Sequence, residues 1–262
     1  MLTIVLRAIG GFALGILLMA AAPSIARAAT PVGHQDMSTS GASDASTGTK
    51  PESKLWFNDG TWWGSLWSSS ADEFRIWRYN AGTDSWTDTG VSLDTRSNSR
   101  ADTLWDGTNL WVASHVIASD SKHNTANRPA RLWKFTYAAG TYTKVSGFPV
   151  DINGSSGVSS ETFVIDKAGD GTLWATWTQA QTVYVAHATN TSGATWTFGP
   201  LGVTGSSSIN SDDISSLVQF GGNKIGVMWS NQAANKMYFA VHTDGGSWAA
   251  SETVESGTKI AD

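Results

Sequence analysis

From Lys54 onward the chain alternates short runs of β-branched and aromatic residues with clusters of Gly, Asn and Asp, and no stretch sustains a helical period. One run recurs as "TWWGSLWS" (61–68), "NLWVASHV" (109–116), "TLWATWTQ" (172–179) and "KIGVMWSN" (224–231), preceded each time by "DG" or "GG". A second follows it as "FRIWRYN" (74–80), "RLWKFTY" (131–137), "TVYVAHA" (182–188) and "KMYFAVH" (236–242). A third precedes each unit: "KLWFND" (54–59), "DTLWDG" (102–107), "TFVIDKA" (162–168) and "SSLVQFG" (215–221). A closing run follows, as in "SWTDTGVSL" (85–93) and "TWTFGPLGV" (195–203), and its lead aromatics Trp86, Tyr142, Trp196 and Trp248 are 56, 54 and 52 residues apart.

Repeats of four short strands at roughly 50 residues predict an all-β chain, a β-propeller of four-stranded antiparallel blades. The blades are placed at 54–97, 98–157, 158–209 and 210–257. The second strand of each is apolar on both faces, as in Leu173, Ala175 and Trp177 against Trp174, which suits a sheet covered by neighbours on either side. The Asp-Gly pairs supply the positive φ that a two-residue hairpin turn demands. The closing "TKIAD" aligns with the lead-ins "NSRAD" (98–102) and "NSDD" (210–213), so the expectation is a propeller truncated from a larger one, with a closed four-bladed ring as the alternative.

The 262 residues are 40% hydrophobic, enough for a sizeable core, and 14 Trp against no Cys exclude disulfides and thiolate metal sites while pointing to large aromatic packing units. Residues 1–28 read as an export signal: Arg7, an apolar stretch from Ala8 to Ala22, and "ARA" at 26–28 for cleavage. The expected location is therefore extracellular, with membrane contact only through an uncleaved signal. Without Arg7 and Arg27, 15 basic residues face 22 acidic ones, a net charge of −7 that argues against nucleic acid or an anionic membrane as partner. Residues 29–53 hold no aromatic and only Val32 and Met37 as large apolar side chains, and read as a disordered linker.

The stretch "TNTSGATW" (189–196) resembles the Asp-box of bacterial sialidases and related propellers, Ser-x-Asp-x-Gly-x-Thr-Trp, with Thr189 for Ser and Thr191 for Asp. "NAGTDSW" (80–86) and "HTDGGSW" (242–248) are looser copies at the same place in their blades. In that family the box is a structural turn, so the resemblance implies a shared fold. "FRIW" (74–77) is similar to the family's arginine-bearing motif, but Trp77 replaces its proline and Arg75 falls on a repeat position shared with Arg131, Thr182 and Lys236. No Arg occurs beyond Arg131, so the family's three-arginine clamp is not completed. "DGTLW" also resembles the repeat of sensor-type propellers.

In a propeller, the loops into each inner strand and between the second and third strands share one face around the axis. The first set offers Arg96, Arg100, Asp102, Glu161, Asp212 and Asp213; the second offers His115, His123, Arg128, Gln179 and Asn231. Of these, Arg100, Asp102, His115, Arg128, Glu161, Gln179, Asp213 and Asn231 are the candidate ligand-binding residues. Three readings compete for the recurring acids: bonds to backbone amides that hold blades together, a carbohydrate-binding face with an exposed aromatic such as Trp67, or paired carboxyls for glycoside hydrolysis. The partner is thus an extracellular glycan, or a protein if the propeller is purely an interaction module; no catalytic residue and no oligomeric state is assigned. No cofactor or metal is expected: the histidines at 34, 115, 123, 187 and 242 lack zinc spacing, and "DKAGDG" (166–171) reads as a hairpin before a calcium loop. His187 and His242 end equivalent third strands and are read as structural.

Overall fold

The structure, a computed structural model, describes residues 37–43, 50–117 and 124–258. The export signal, the rest of the linker, His123 and the final residues 259–262 lie outside them.

The first repeat forms an antiparallel sheet of β1 (Leu55–Asn58), β2 (Thr61–Ser68), β3 (Glu73–Asn80) and β4 (Ser85–Ser92) in that spatial order. The second contains β5 (Ser99–Trp105), β6 (Asn109–Val116), β7 (Arg131–Ala138) and β8 (Thr141–Lys144), with a short β9 (Val150–Asp151) also paired to β7. The outer edge of this blade is therefore split between two strands, which the repeat pattern does not announce. The third consists of β10 (Phe163–Lys167), β11 (Leu173–Gln179), β12 (Thr182–Ala188) and β13 (Trp196–Pro200). The fourth consists of β14 (Ser215–Phe220), β15 (Lys224–Asn231), β16 (Lys236–Thr243) and β17 (Glu252–Ser256), with one 3₁₀ turn at Gln232–Ala234.

Local chemistry sets these hairpins. Asn58 pairs with Thr61 across Asp59-Gly60, and both turn residues have positive φ (51° and 73°), the conformation whose twist matches the flanking strands. The inner strands pack in succession, β1 on β5, β5 on β10 and β10 on β14. The chain is thus an all-β propeller assembly of four blades.

Each junction has its own core. Trp56, Trp63 and Trp67 of the first blade meet Leu110, Val112, Phe135 and Tyr142 of the second. Trp111 and Leu132 meet Phe163, Leu173, Ala175 and Trp177 of the third. Val164, Trp174 and Val183 meet Leu217, Ile225, Val227 and Trp229 of the fourth. Burying a side chain of this size stabilises by about 1.5–3 kcal/mol, so these stacked faces dominate the fold's energetics. Backbone contacts add to them: at Gly169 a Cβ would lie 1.5 Å from the Gly222 carbonyl oxygen, so the hairpins of the third and fourth blades touch main chain to main chain. Among the described residues, no core cluster joins the fourth blade to the first.

The end of the linker departs from its composition. Glu52 and Lys54 are buried, the Ser53 N–H donates to Asp102 at 2.6 Å, and the Ser53 carbonyl accepts from the Thr103 N–H at 2.8 Å. Residues 50–53 form a strap fixed to the blades. They are held by charge and backbone hydrogen bonds rather than by apolar area, the only quantity the composition could weigh.

Candidate functional site

The structure brings several of the sequence-derived candidates together near the axis, and commits their polar atoms internally. The Asp102 carboxylate accepts from the Ser53 N–H and, at 2.8 Å, from the Ile165 N–H of the next blade. This is the arrangement expected of an acid that holds neighbouring blades together. Burial pushes its carboxyl up to about 7 against the pull of those two amides, and the nearby Glu52 charge adds to the rise. His115 lies between Ser160 (2.8 Å to Nδ1) and the Glu52 carboxylate (3.0 Å to Nε2), which also accepts from the Phe163 N–H at 3.2 Å. Burial opposes the Glu52 charge, but His115 and then Lys54 outweigh it and bring the carboxyl down to about 2. Lys54, 3.3 Å from Glu52, is itself lowered by burial. Glu161 pairs with Lys50 of the strap at 2.8 Å. Arg100 is buried beside this group.

The other candidates lie apart from that knot. Asp213 is fully buried and accepts from the Asn210 and Gln232 N–H groups. Asn231 donates to the Gly205 carbonyl and accepts from the Ala234 N–H, capping the 3₁₀ turn. Gln179 accepts from the Trp177 indole at 2.7 Å. Arg128 is exposed and donates to the Asn127 carbonyl. Arg96 grips Asp94 at 2.6 Å and the Pro129 carbonyl at 2.7 Å. Trp67 is buried and donates to the Ser40 carbonyl, so it offers no face to a sugar.

An open site appears at the opposite end of the sheets, where the first and third hairpins of blades three and four converge. Two adjoining hollows of about 370 and 390 Å³ share Trp174, His187, His242 and Gly246. One continues along Thr197 and Phe198 to Trp248, the other along Asp170, Thr172 and Asp244. Volumes of this order suit a small ligand. Strand pairing explains why these residues meet. Trp174 pairs across its sheet with His187 on one side of the third blade, and His242 pairs with Ile225, on the side of the fourth blade that packs against Trp174, and bridges to Trp248. Trp174 stacks on His187 with centroids 5.0 Å apart, lies 4.6 Å from His242, and meets Trp248 edge-on at 5.9 Å.

The polar groups of this cleft differ from those at the axis. The His187 Nδ1–H faces the Ala188 carbonyl at 3.3 Å and its Nε2 sits 2.8 Å from the Thr197 hydroxyl, which fixes the ring. His242 Nδ1 is buried and, among the described residues, has no hydrogen-bond partner. A buried nitrogen left so is costly by about 1–3 kcal/mol unless a ligand or solvent satisfies it. Burial alone would raise the Asp170 carboxyl, but hydrogen bonds from the Thr172 hydroxyl and N–H hold it below the usual carboxylate range. Asp170 is therefore ionised at neutral pH. Asp244 adds a second carboxylate to the lining.

Sequence reasoning placed His187 and His242 with the scaffold. The signal that marks them is that each lies near the end of a third strand in consecutive blades and is followed by a repeat tryptophan. Among the described residues, no group of three or more His, Asp or Glu has metal-holding geometry.

No family model and no curated protein matches the chain. Among solved structures it is similar to a polysaccharide lyase, an ulvan lyase bound to -[GlcA(1-4)Rha3S]-, at 13% identity and TM-score 0.47, over 77% of this chain and 54% of that one. It is similar to a fucose-specific lectin from Aleuria aurantia at 16% identity and TM-score 0.45, over 74% and 56%. It is also similar to an endo-arabinase from Bacteroides thetaiotaomicron at 12% identity and TM-score 0.46, over 78% and 81%. The chain spans about half the length of the lyase and of the lectin.

Proposed function

We propose that this protein is an exported propeller that binds neutral carbohydrate in the cleft between its third and fourth blades. The observation that carries this is His242, whose buried Nδ1 has no hydrogen-bond partner among the described residues and whose ring lines a hollow walled by Trp174, Trp248 and Phe198. A sugar presents apolar C–H faces that pack on aromatic rings and hydroxyls that both donate and accept, and this lining answers both. Half-buried Trp248 and exposed Phe198 supply the apolar wall over the buried Trp174, while the imidazole of His242 and the carboxylates of Asp170 and Asp244 supply partners for hydroxyls. Two carboxylates without a facing Arg or Lys in the lining disfavour uronic and sialic acids, so the ligand is uncharged. That feature separates the site from a sialidase pocket, and its role is recognition. Export rests on the apolar leader with its small-residue cleavage motif.

The test is a glycan array followed by calorimetric titration of the best neutral hit against wild type, Trp248→Ala and His242→Ala. Wild type should bind neutral oligosaccharides in preference to sialylated or uronate ones. Each variant should lose at least about tenfold in affinity, as expected when one good polar or aromatic contact worth about 1.4 kcal/mol is removed. Binding confined to acidic glycans, or unchanged in both variants, refutes the assignment.

A further inference from the structure

The three junctions inside the chain follow one rule: the leading face of each blade packs on the trailing face of the blade before it. The leading face of the second blade brings Leu110 and Val112 onto Trp56 and Trp63. That of the third brings Leu173 and Ala175 onto Trp111, and that of the fourth brings Leu217, Ile225 and Val227 onto Val164 and Trp174. Strand pairing identifies the same positions on the two faces left over. On the first blade Leu55, Phe57 and Trp62 point away from the Trp56–Trp63 side, and they are 41%, 54% and 48% exposed. On the fourth blade Val218 and Met228 point away from the Leu217–Val227 side and are 52% and 38% exposed, with half-buried Phe220 and Phe239 beside them.

Five of the seven large hydrophobic side chains exposed among the described residues thus lie on these two faces, where scattered exposure would have spread them over the surface. Both surfaces are prepared for burial. Phe57 and Trp62 already meet edge-on, with centroids 5.5 Å apart. On the trailing side, the missing side chain of Gly226 leaves room filled by the Phe239 ring, since a Cβ there would lie 2.4 Å from it. One face presents protruding aromatics, the other a flexible Met and a Val over an aromatic floor.

We infer that the leading face of the first blade binds the trailing face of the fourth blade of a second copy of this chain, head to tail. A junction between copies repeats the junction formed three times within each copy, with the same strands and the same sides of those strands. Such a contact joins unlike surfaces, so it is reciprocated in a closed pair of copies or propagated along a row of them. It also covers the two sheet faces that a lone chain leaves wet.

The experiment is sedimentation velocity of the full chain over a wide concentration range, with Trp62→Asp and Met228→Asp as separate variants. Wild type should sediment as a dimer or larger, and each variant as a monomer with unchanged circular dichroism. Leu55→Asp and Val218→Asp form a second pair if either of the first misfolds. Mixing Trp62→Asp with Met228→Asp should restore a one-to-one complex, because each then contributes its intact face. A monomeric wild type overturns the inference. An assembly that survives both substitutions, or no complex on mixing, overturns it as well.

Discussion

Asp102→Asn tests how the blades are tied at the axis. The wild-type carboxyl takes one hydrogen bond from the strap and one from the third blade, and burial holds its pKa at about 7 against an ordinary value of 3.8. Between those values the folded protein holds a proton that the unfolded chain has released, so stability must fall as pH rises from about 4 to about 7, then level off. From pH 5 to pH 7 this amounts to two units at about 1.4 kcal/mol each, an upper figure of roughly 3 kcal/mol. Asn keeps the shape and cannot ionise. Its amide nitrogen cannot accept, so one backbone N–H loses its partner at a cost of about 1–3 kcal/mol. In urea unfolding followed by tryptophan fluorescence, the variant should be clearly weaker than wild type at pH 5 and close to it at pH 8. A gap that is constant across pH, or that widens toward pH 8, refutes the assignment of a neutral, backbone-bonded Asp102.

Other expectations follow from neighbouring features. Glu52→Gln should flatten the acid limb: with the Glu52 carboxyl at about 2, its contribution is present above about 4.5 and is lost as pH falls toward 2, so acid-unfolding midpoints should differ only in that window. Gly169→Ala should destabilise strongly, because its Cβ meets the Gly222 carbonyl and no flexible side chain can yield; thermal unfolding reads the loss. Trp177→Ala empties the centre of the second junction, where the ring stacks on Phe163 and Tyr184, and should cost about 3–5 kcal/mol in urea unfolding.

The strands were legible because turn chemistry and packing speak locally. Asp59-Gly60 marks a hairpin by itself, and a tryptophan strand apolar on both sides, such as 172–179, states that its sheet has two neighbours. The strap was not legible: buried Glu52 is held by His115 and Phe163, buried Lys54 by Glu52, and half-buried Lys50 by Glu161, and no local pattern records the distant pairings. The axial candidates were found by topology, but topology does not tell whether a carboxylate faces solvent or a neighbour's backbone. The cleft escaped for a related reason. His187 and His242 lie near the ends of third strands, where the repeat reads them as scaffold, and only three-dimensional packing shows that one ring is satisfied by Thr197 while the other, among the described residues, has a nitrogen without a partner.

The strap also bears on timing. Glu52 meets its partner at Phe163 across 111 residues of sequence and its partner at His115 across 63, so a stretch made early cannot settle until more than half the chain has emerged. Contacts between such distant positions form slowly, because a long loop must close before it is rewarded. Each sheet can fold as it appears, from hairpins only a few residues apart. The segment leading into the first sheet must wait for the second and third, as a latch that certifies that three sheets have found one another.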